Sequence, residues 1–398
     1  MKTDKQLLKH RARQRRSYNA AKSSPLNARW VMGGSSINAE IRSDLEPLRA
    51  RSRDAVQNDS LAKQYIRLMR DNTIGHSGIA VHPKVTKANG KLDSAINDQI
   101  CMAFKRWSKK AGVDRSSLKS IEKDVVSNCA RDGECLVQIM RGRDYGEFGI
   151  RLKIIDPSHL DVQYDATLMN GNQIISSVEV NNDGVPVAYW LWQHNPHDTA
   201  RQQRPNKRVR VSTASMILIK DDEFPGQLRG VPWMHAGLED MKQLREYNFA
   251  ALVNSRVSAS KGVYFTKPDG AEEEDEDDCP QPNETLEPGS VQELPAGWNV
   301  ESFIPAFPNA AHDSFTSVIE QRIAAGLGVS YAALTADVSR ANFSSLRSAA
   351  LTTRSNYRSR QEWFVEQFME PIFRMWWNMA LLTEFIKLPK TKSEVPPV

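Results

Sequence analysis

The sequence predicts an α+β fold, and three observations carry that prediction. Residues 40–132 follow helical hydrophobic spacing. Residues 134–219 break into short β-rich runs bounded by turn signals. Beyond residue 234, long helical stretches return on either side of a Pro-rich, acidic segment. At 398 residues, 40% hydrophobic and 25% charged, the chain can bury one large core or two to three smaller ones.

The N-terminus, MKTDKQLLKHRARQRRSYNAAK, is basic and no apolar segment follows it, so it does not read as a secretory leader. It is either an arm without fixed structure or one that touches nucleic acid or an acidic partner. No apolar run approaches the roughly 18 residues that a membrane span needs. Residues 40–74 space Leu45, Leu48, Val56, Leu61, Ile66, Leu68 and Met69 as one helix that ends at Gly75 and Gly78. Residues 93–112 place Ile96, Ile100, Phe104 and Trp107 on one stripe, and a third helix spans 115–132 and stops at Gly133.

Strand patterns follow at Glu134–Arg141, Ile150–Ile155, Ile174–Val180, Val187–Trp192, Val209–Val211 and Met216–Ile219. Asp156-Pro157 is a turn signal, and Asn181–Gly184 suits a hairpin. These strands predict a mixed, mostly antiparallel sheet packed on the preceding helices.

Pro225–Pro232 (PGQLRGVP) reads as a rigid loop. Met234–Ser260 then runs without proline as a long helix, with Leu238, Met241, Leu244, Phe249, Leu252 and Val253 expected to bury one face. Residues 262–308 hold seven prolines, an acidic run and three β-like pieces, Val263–Thr266, Val291–Leu294 and Asn299–Ile304. Ser314–Leu327 is helical again. A Gly-Val-Ser-Tyr corner and a polar loop lead to Asn342, a good N-cap for a last long helix. That helix places Phe343, Leu346, Ala350, Tyr357, Phe364 and Phe368 on one face, and Pro371 should kink or restart it.

Catalytic motifs are not found. There is no GxxxxGK[ST], HExxH or GxSxG. Cys101, Cys129, Cys135 and Cys279 form no CxxC pair, and His194 and His197 lack nominated partners for a metal. No catalytic residue, metal site or cofactor is therefore assigned. The aromatics Trp363, Phe364, Phe368, Phe373, Trp376 and Trp377 are spaced for packing more than for base stacking. Arg340, Arg347, Arg354, Arg358 and Arg360 form a basic stripe beside them. A net charge of +5 spread over this length proves no nucleic-acid binding by itself.

In their order, several segments resemble the lambda-like family of phage portal proteins, over roughly residues 26–388. They are Arg49–Gly75; Asp132–Glu134 with Ile155-Asp156-Pro157; Pro225–Trp233 (PGQLRGVPW); Leu294–Ile304; and Ile323–Leu351 (IAAGLGVSYAALTADVSRANFSSLRSAAL). PGQLRGVP and IAAGLGVSYAALT are the most specific pair. The resemblance implies a portal fold, with a basic arm at 1–25 and a mixed α/β wing at 26–232. A first stem helix at 233–261, a small β-containing clip at 262–308 and a second stem helix at 309–330 would follow. A tunnel loop at 331–342 would lead into long wing and crown helices and a tail at 343–398. It implies a homo-oligomeric ring, of twelve copies by the family's pattern, at one capsid vertex. Double-stranded DNA would be packaged through it and later ejected.

On this resemblance Thr335, Asp337, Ser339, Arg340 and Asn342 would face the DNA, with Arg347 and Arg354 as further basic channel residues. The acidic residues Glu272, Glu273, Glu274, Asp275, Glu276, Asp277 and Asp278 would dock the large terminase subunit and later the head–tail connector proteins. The major capsid or scaffold protein would be another partner, with no membrane involved. The protein would be assembled in the bacterial cytoplasm and would end in the virion. The sequence departs from the family in its acidic clip, its short C-terminus and Ile219-Lys220 before the rigid loop. Two competing readings are a DNA-processing enzyme such as a nuclease, which would need a carboxylate cluster with a divalent metal, and a head–tail adaptor or minor capsid protein.

Overall fold

A computed structural model describes residues 34–87, 89–198, 206–259, 263–266, 299–302, 311–339 and 342–386. The basic arm, the acidic run, Val291–Leu294, Arg340 and the last residues lie outside them.

The expected helix over 40–74 is two helices, α1 (Ile37–Asn58) and α2 (Ser60–Ile74). Asp59 is extended (φ −118°, ψ 130°), and its carboxylate accepts from the amides of Leu61 and Ala62, so it ends one helix and caps the next. Hydrophobic spacing runs straight through such a break, so periodicity alone hides it. α3 (Ser94–Ser108) and α4 (Leu118–Asp132) follow, and α4 closes on Gly133 at φ 89°.

The strands are β1 (Glu134–Arg141), β2 (Ile150–Ile155), β3 (Ala166–Thr167), β4 (Gln173–Ile175), β5 (Val178–Val180), β6 (Pro186–Trp192), β7 (Arg208–Ser212) and β8 (Met216–Lys220). They form two sheets, not the single sheet expected, in the orders β2-β1-β8 and β3-β4-β5-β6-β7. Every strand pairing within them is antiparallel. The expected strand Ile174–Val180 folds back on itself. Ser176 and Ser177 both take positive φ (47° and 68°) and turn β4 into β5. Two serines are poor markers for such a turn, which glycine or asparagine would signal better.

β1 is buried on both faces. Cys135, Val137 and Ile139 point into the main core with the helices. Leu136 points the other way, into a second core shared with Val178, Tyr189, Leu191 and Leu218. Side-chain alternation along one strand thus joins helices and both sheets into one body.

After a short turn (His235–Gly237), α5 (Leu238–Ala259) leaves this body. β9 (Val263–Thr266) pairs antiparallel with β10 (Asn299–Ser302), and α6 (His312–Gly326) returns. α7 (Tyr331–Thr335) and α8 (Phe343–Phe364) follow. A π-helical turn over Val365–Met369 leads into α9 (Glu370–Leu382), with Pro371 in its first turn. Pro371 therefore sits where the π turn passes into α9, and the helix runs through it without a break.

Phe364, Phe368 and Trp376 are fully buried. Phe104, Trp107, Phe373 and Trp376 interlock with ring centroids 4.9–6.2 Å apart. These aromatics pack the core and are closed to base stacking.

Candidate functional site

Two motifs singled out in the sequence meet in one buried joint. Glu134 opens β1 with its side chain fully enclosed. Arg229 donates to both of its oxygens (Nε at 3.0 and 3.1 Å, Nη2 at 2.6 Å), Arg49 Nη2 donates at 2.6 Å, and the Gly230 amide donates at 2.8 Å. Burial alone would raise this carboxyl, but Arg229 and Arg49 hold it at about 2. Burial in turn lowers Arg49. A Cβ on Gly230 would lie 2.1 Å from the Gly133 oxygen, and one on Gly133 would lie 2.3 Å from Val231 carbon. DGE and LRGVP are therefore two halves of a backbone-to-backbone contact that ties α1, α4, β1 and the start of α5 together.

Asp156 belongs to the same joint. It caps the turn at Pro157 through the Ser158 amide (2.8 Å) and pairs with Arg53 (2.9 Å). Burial opposes its ionisation, yet those partners hold it at about 2. Glu134, Asp156, Arg49, Arg53 and Arg229 are thus all engaged with one another or with backbone. Among the described residues no group of three or more His, Cys, Asp or Glu could hold a metal ion.

α5 and α6 are antiparallel neighbours. Asp240 meets Arg322 at 3.2 Å near the body, and Tyr247 stacks on His312 (5.4 Å, 19°) farther out. α5 was expected to bury one apolar face along its length. Its inner half does so through Met241 and Leu244. Farther out, Phe249, Leu252 and Val253 are exposed, as are Phe315 and Val318 on α6. At 22 residues α5 is about 33 Å long, too long for the body to cover.

The loop after α6 is tightly built at its base. Ser330 caps α7, Gln64 of α2 donates to the Ala333 oxygen (3.3 Å), and Asn356 of α8 donates to the Gly328 oxygen (3.1 Å). Ala336 then takes φ 60°, a left-handed turn that ends α7. The Thr335 hydroxyl donates to the Tyr331 oxygen (2.9 Å) and accepts from the Asp337 amide (3.2 Å). Asp337 accepts from the Ser339 amide (2.8 Å) and from the Tyr331 hydroxyl (3.0 Å). Ser339 and Asn342 are exposed. Arg340, expected to be foremost in this loop, lies outside the described residues.

The basic stripe divides. Arg347, Arg354 and Arg358 are exposed, and at 100° per residue they fall within about 40° of one another on α8. Arg360 points the opposite way, pairs with Asp221 and lies 4.2 Å over the Trp233 ring. It belongs to the seam between α8 and the segment around Asp221 and Trp233, so the expected stripe is corrected to its other described members.

Sequence reasoning marked the motifs that hold Arg49, Glu134 and Arg229 but missed that the three form one ion cluster, and it missed Tyr331 and Glu320. Charged residues brought together across 95 positions leave no spacing signal. A phenol on a short helix reads like any other partly buried tyrosine.

The family model for phage portal proteins of the lambda family matches residues 23–361. The chain is 31% identical over 385 residues to a probable portal protein of Halomonas phage phiHAP-1, covering 94% of this chain and 74% of that one. It is 20% identical over 403 residues to portal protein B of Escherichia phage lambda, covering 90% and 73%. It also superposes on a subunit in the neck of an empty gene transfer agent particle, with TM-score 0.45 and 11% identity over 82% of this chain and 81% of that one. A match across most of the chain, joined to the PGQLRGVP joint and the loop-bearing helix pair, assigns it: the chain belongs to the lambda family of phage portal proteins.

Proposed function

We propose that copies of this chain close into a ring, of twelve by the family's pattern, whose axial channel passes double-stranded DNA during packaging and ejection. The observation that carries the reading is the pair α5–α6. Phe249, Leu252, Val253, Phe315 and Val318 are exposed on helices that leave the folded body. In a ring each copy offers two different faces to its two neighbours, so helices with apolar residues beyond their own contact are what heterologous closure needs. Mass photometry of the purified protein tests this. The expected species lies near twelve times the 44.9 kDa chain, and only monomers and dimers at every concentration would refute the ring.

In this reading the segment 233–261 and the segment 309–330 are the stem. The 262–308 clip opens and closes with the β9–β10 pair, and 26–232 with the helices after 342 forms the wing and crown. Residues 335–342, with Arg340 among them, face the DNA. Arg347 and Arg354 add positive charge without reading sequence, since phosphate contacts carry no base information. A channel that moves DNA needs such weak, repeated contacts and no catalytic group. No helix among the described residues is long and apolar enough to cross a membrane. The particle vertex, with the capsid or scaffold protein and the connectors around it, is the proposed place of work after assembly in the host cytoplasm.

The acidic run Glu272–Asp278 is proposed to dock the large terminase subunit. Replacing its seven acids by their amides should weaken terminase binding at low salt and have less effect at high salt, because exposed charge attraction is screened. An unchanged affinity at low salt would exclude this role.

A further inference from the structure

We infer that Tyr331 is a positioning residue that clasps the tunnel loop to the second stem helix. The inference rests on the reading that residues 335–342 face DNA in the channel.

The Tyr331 hydroxyl lies 3.0 Å from Asp337 Oδ2 in the loop and 3.3 Å from Glu320 Oε2 on α6. A phenol carries one proton and can donate to one acceptor at a time. The shorter contact assigns that donation to Asp337. The phenol oxygen then faces Glu320 with its lone pairs, so a proton on Glu320 would complete a chain from Glu320 through Tyr331 to Asp337. Burial raises the Glu320 carboxyl above its ordinary value, the Tyr331 hydroxyl opposes this, and the charge of Asp337 adds a smaller push upward, so the net direction favours that proton. Burial raises the Tyr331 hydroxyl too.

The position of this triad gives it a consequence. α7 is already fixed to α2 through Gln64, and the corner before it is fixed to α8 through Asn356. Both of those bonds end at or before Ala333. The chain then turns at Ala336 in the left-handed region, where a non-glycine residue is under strain. Beyond that turn, Asp337 is where the loop's side chains reach back, and Tyr331 carries its pull to Glu320 two turns up α6 from Gly326. DNA dragging on the loop would load α6 through this phenol. Without the hydroxyl the loop would lose its bond from Asp337 to Tyr331, and with it this link to α6.

The test uses the assembled protein and the variants Tyr331→Phe, Glu320→Ala and Glu320→Gln. Amide hydrogen exchange is read over residues 336–342. Tyr331→Phe and Glu320→Ala should each speed exchange in this loop by about tenfold, the scale of one hydrogen bond to a charged group, with exchange in α2 and α4 unchanged. Glu320→Gln should protect the loop at least as well as wild type, because its amide donates to the phenol oxygen permanently. Tyr331→Phe removes only the hydroxyl and keeps the ring, so its effect separates a clasp from general packing, and the Gln rescue shows that a donor at position 320 suffices. Unchanged loop exchange in Tyr331→Phe, or Gln behaving like Ala, would overturn the clasp. In a packaging reaction, Tyr331→Phe should also raise the frequency of backward DNA slips. Faster exchange without extra slips would leave the clasp standing and remove the loop from the DNA path.

Discussion

Glu122 shows what a single buried side chain predicts. It is 1% exposed on α4, and the Ile79 amide donates to it at 3.2 Å. Burial pushes its carboxyl up to about 7, against the weaker opposite pull of that amide and of Lys119. The folded state therefore holds the proton more tightly than the unfolded chain does. Stability from this group is fully present below its unfolded value of 4.5 and is lost as pH rises through about 7. The loss amounts to roughly 3 kcal/mol at most. Glu122→Gln should flatten this slope, melting near wild type at pH 5 and several degrees above it at pH 8. Thermal unfolding at the two pH values checks it, and equal melting at pH 8 would exclude a raised Glu122 carboxyl. The helix that carries Glu122 was legible in the sequence, though the burial of that side chain was not. Nor was its single amide donor, which comes from a loop 43 residues away.

At the scale of elements, the joint between DGE and LRGVP makes the sharpest demand. Gly230 has no room for a Cβ because the Gly133 backbone fills that space. Gly230→Ala should therefore push β1 and the start of α5 apart and strain the Glu134 cluster, where an uncompensated buried charge costs about 3–5 kcal/mol. Chemical denaturation should show a loss of that order. A loss below about 1 kcal/mol, the ordinary range for a point substitution, would mean that the backbone yields easily. The sequence marked this segment as a rigid loop before a long helix and placed β1, β2, β6 and β8 within a residue. It joined α1 to α2 because Asp59 interrupts the helix without interrupting the hydrophobic spacing. It merged β4 with β5 because Ser176 and Ser177 adopt turn angles that serine seldom signals. Local chemistry was legible, whereas breaks made by one unremarkable residue were not.

At the scale of the whole molecule, the same contrast holds for the site. The order of helix, inserted strands, helix, corner, loop and helix could be read directly, and with it the family. Which arginines stay free could not, since Arg360 is turned inward by Asp221, 139 positions away. Nor could the limit of burial along α5, which depends on where the body stops beneath it. The central claim is that the exposed apolar residues of α5 and α6 exist to meet another copy around a channel. Electron microscopy of the wild-type protein beside a Phe249→Asp, Phe315→Asp double variant tests it most directly. The wild type should give closed rings with an axial hole wide enough for duplex DNA. The double variant should give folded single chains with unchanged circular dichroism. Intact rings from the double variant, or no rings from the wild type, would contradict the account.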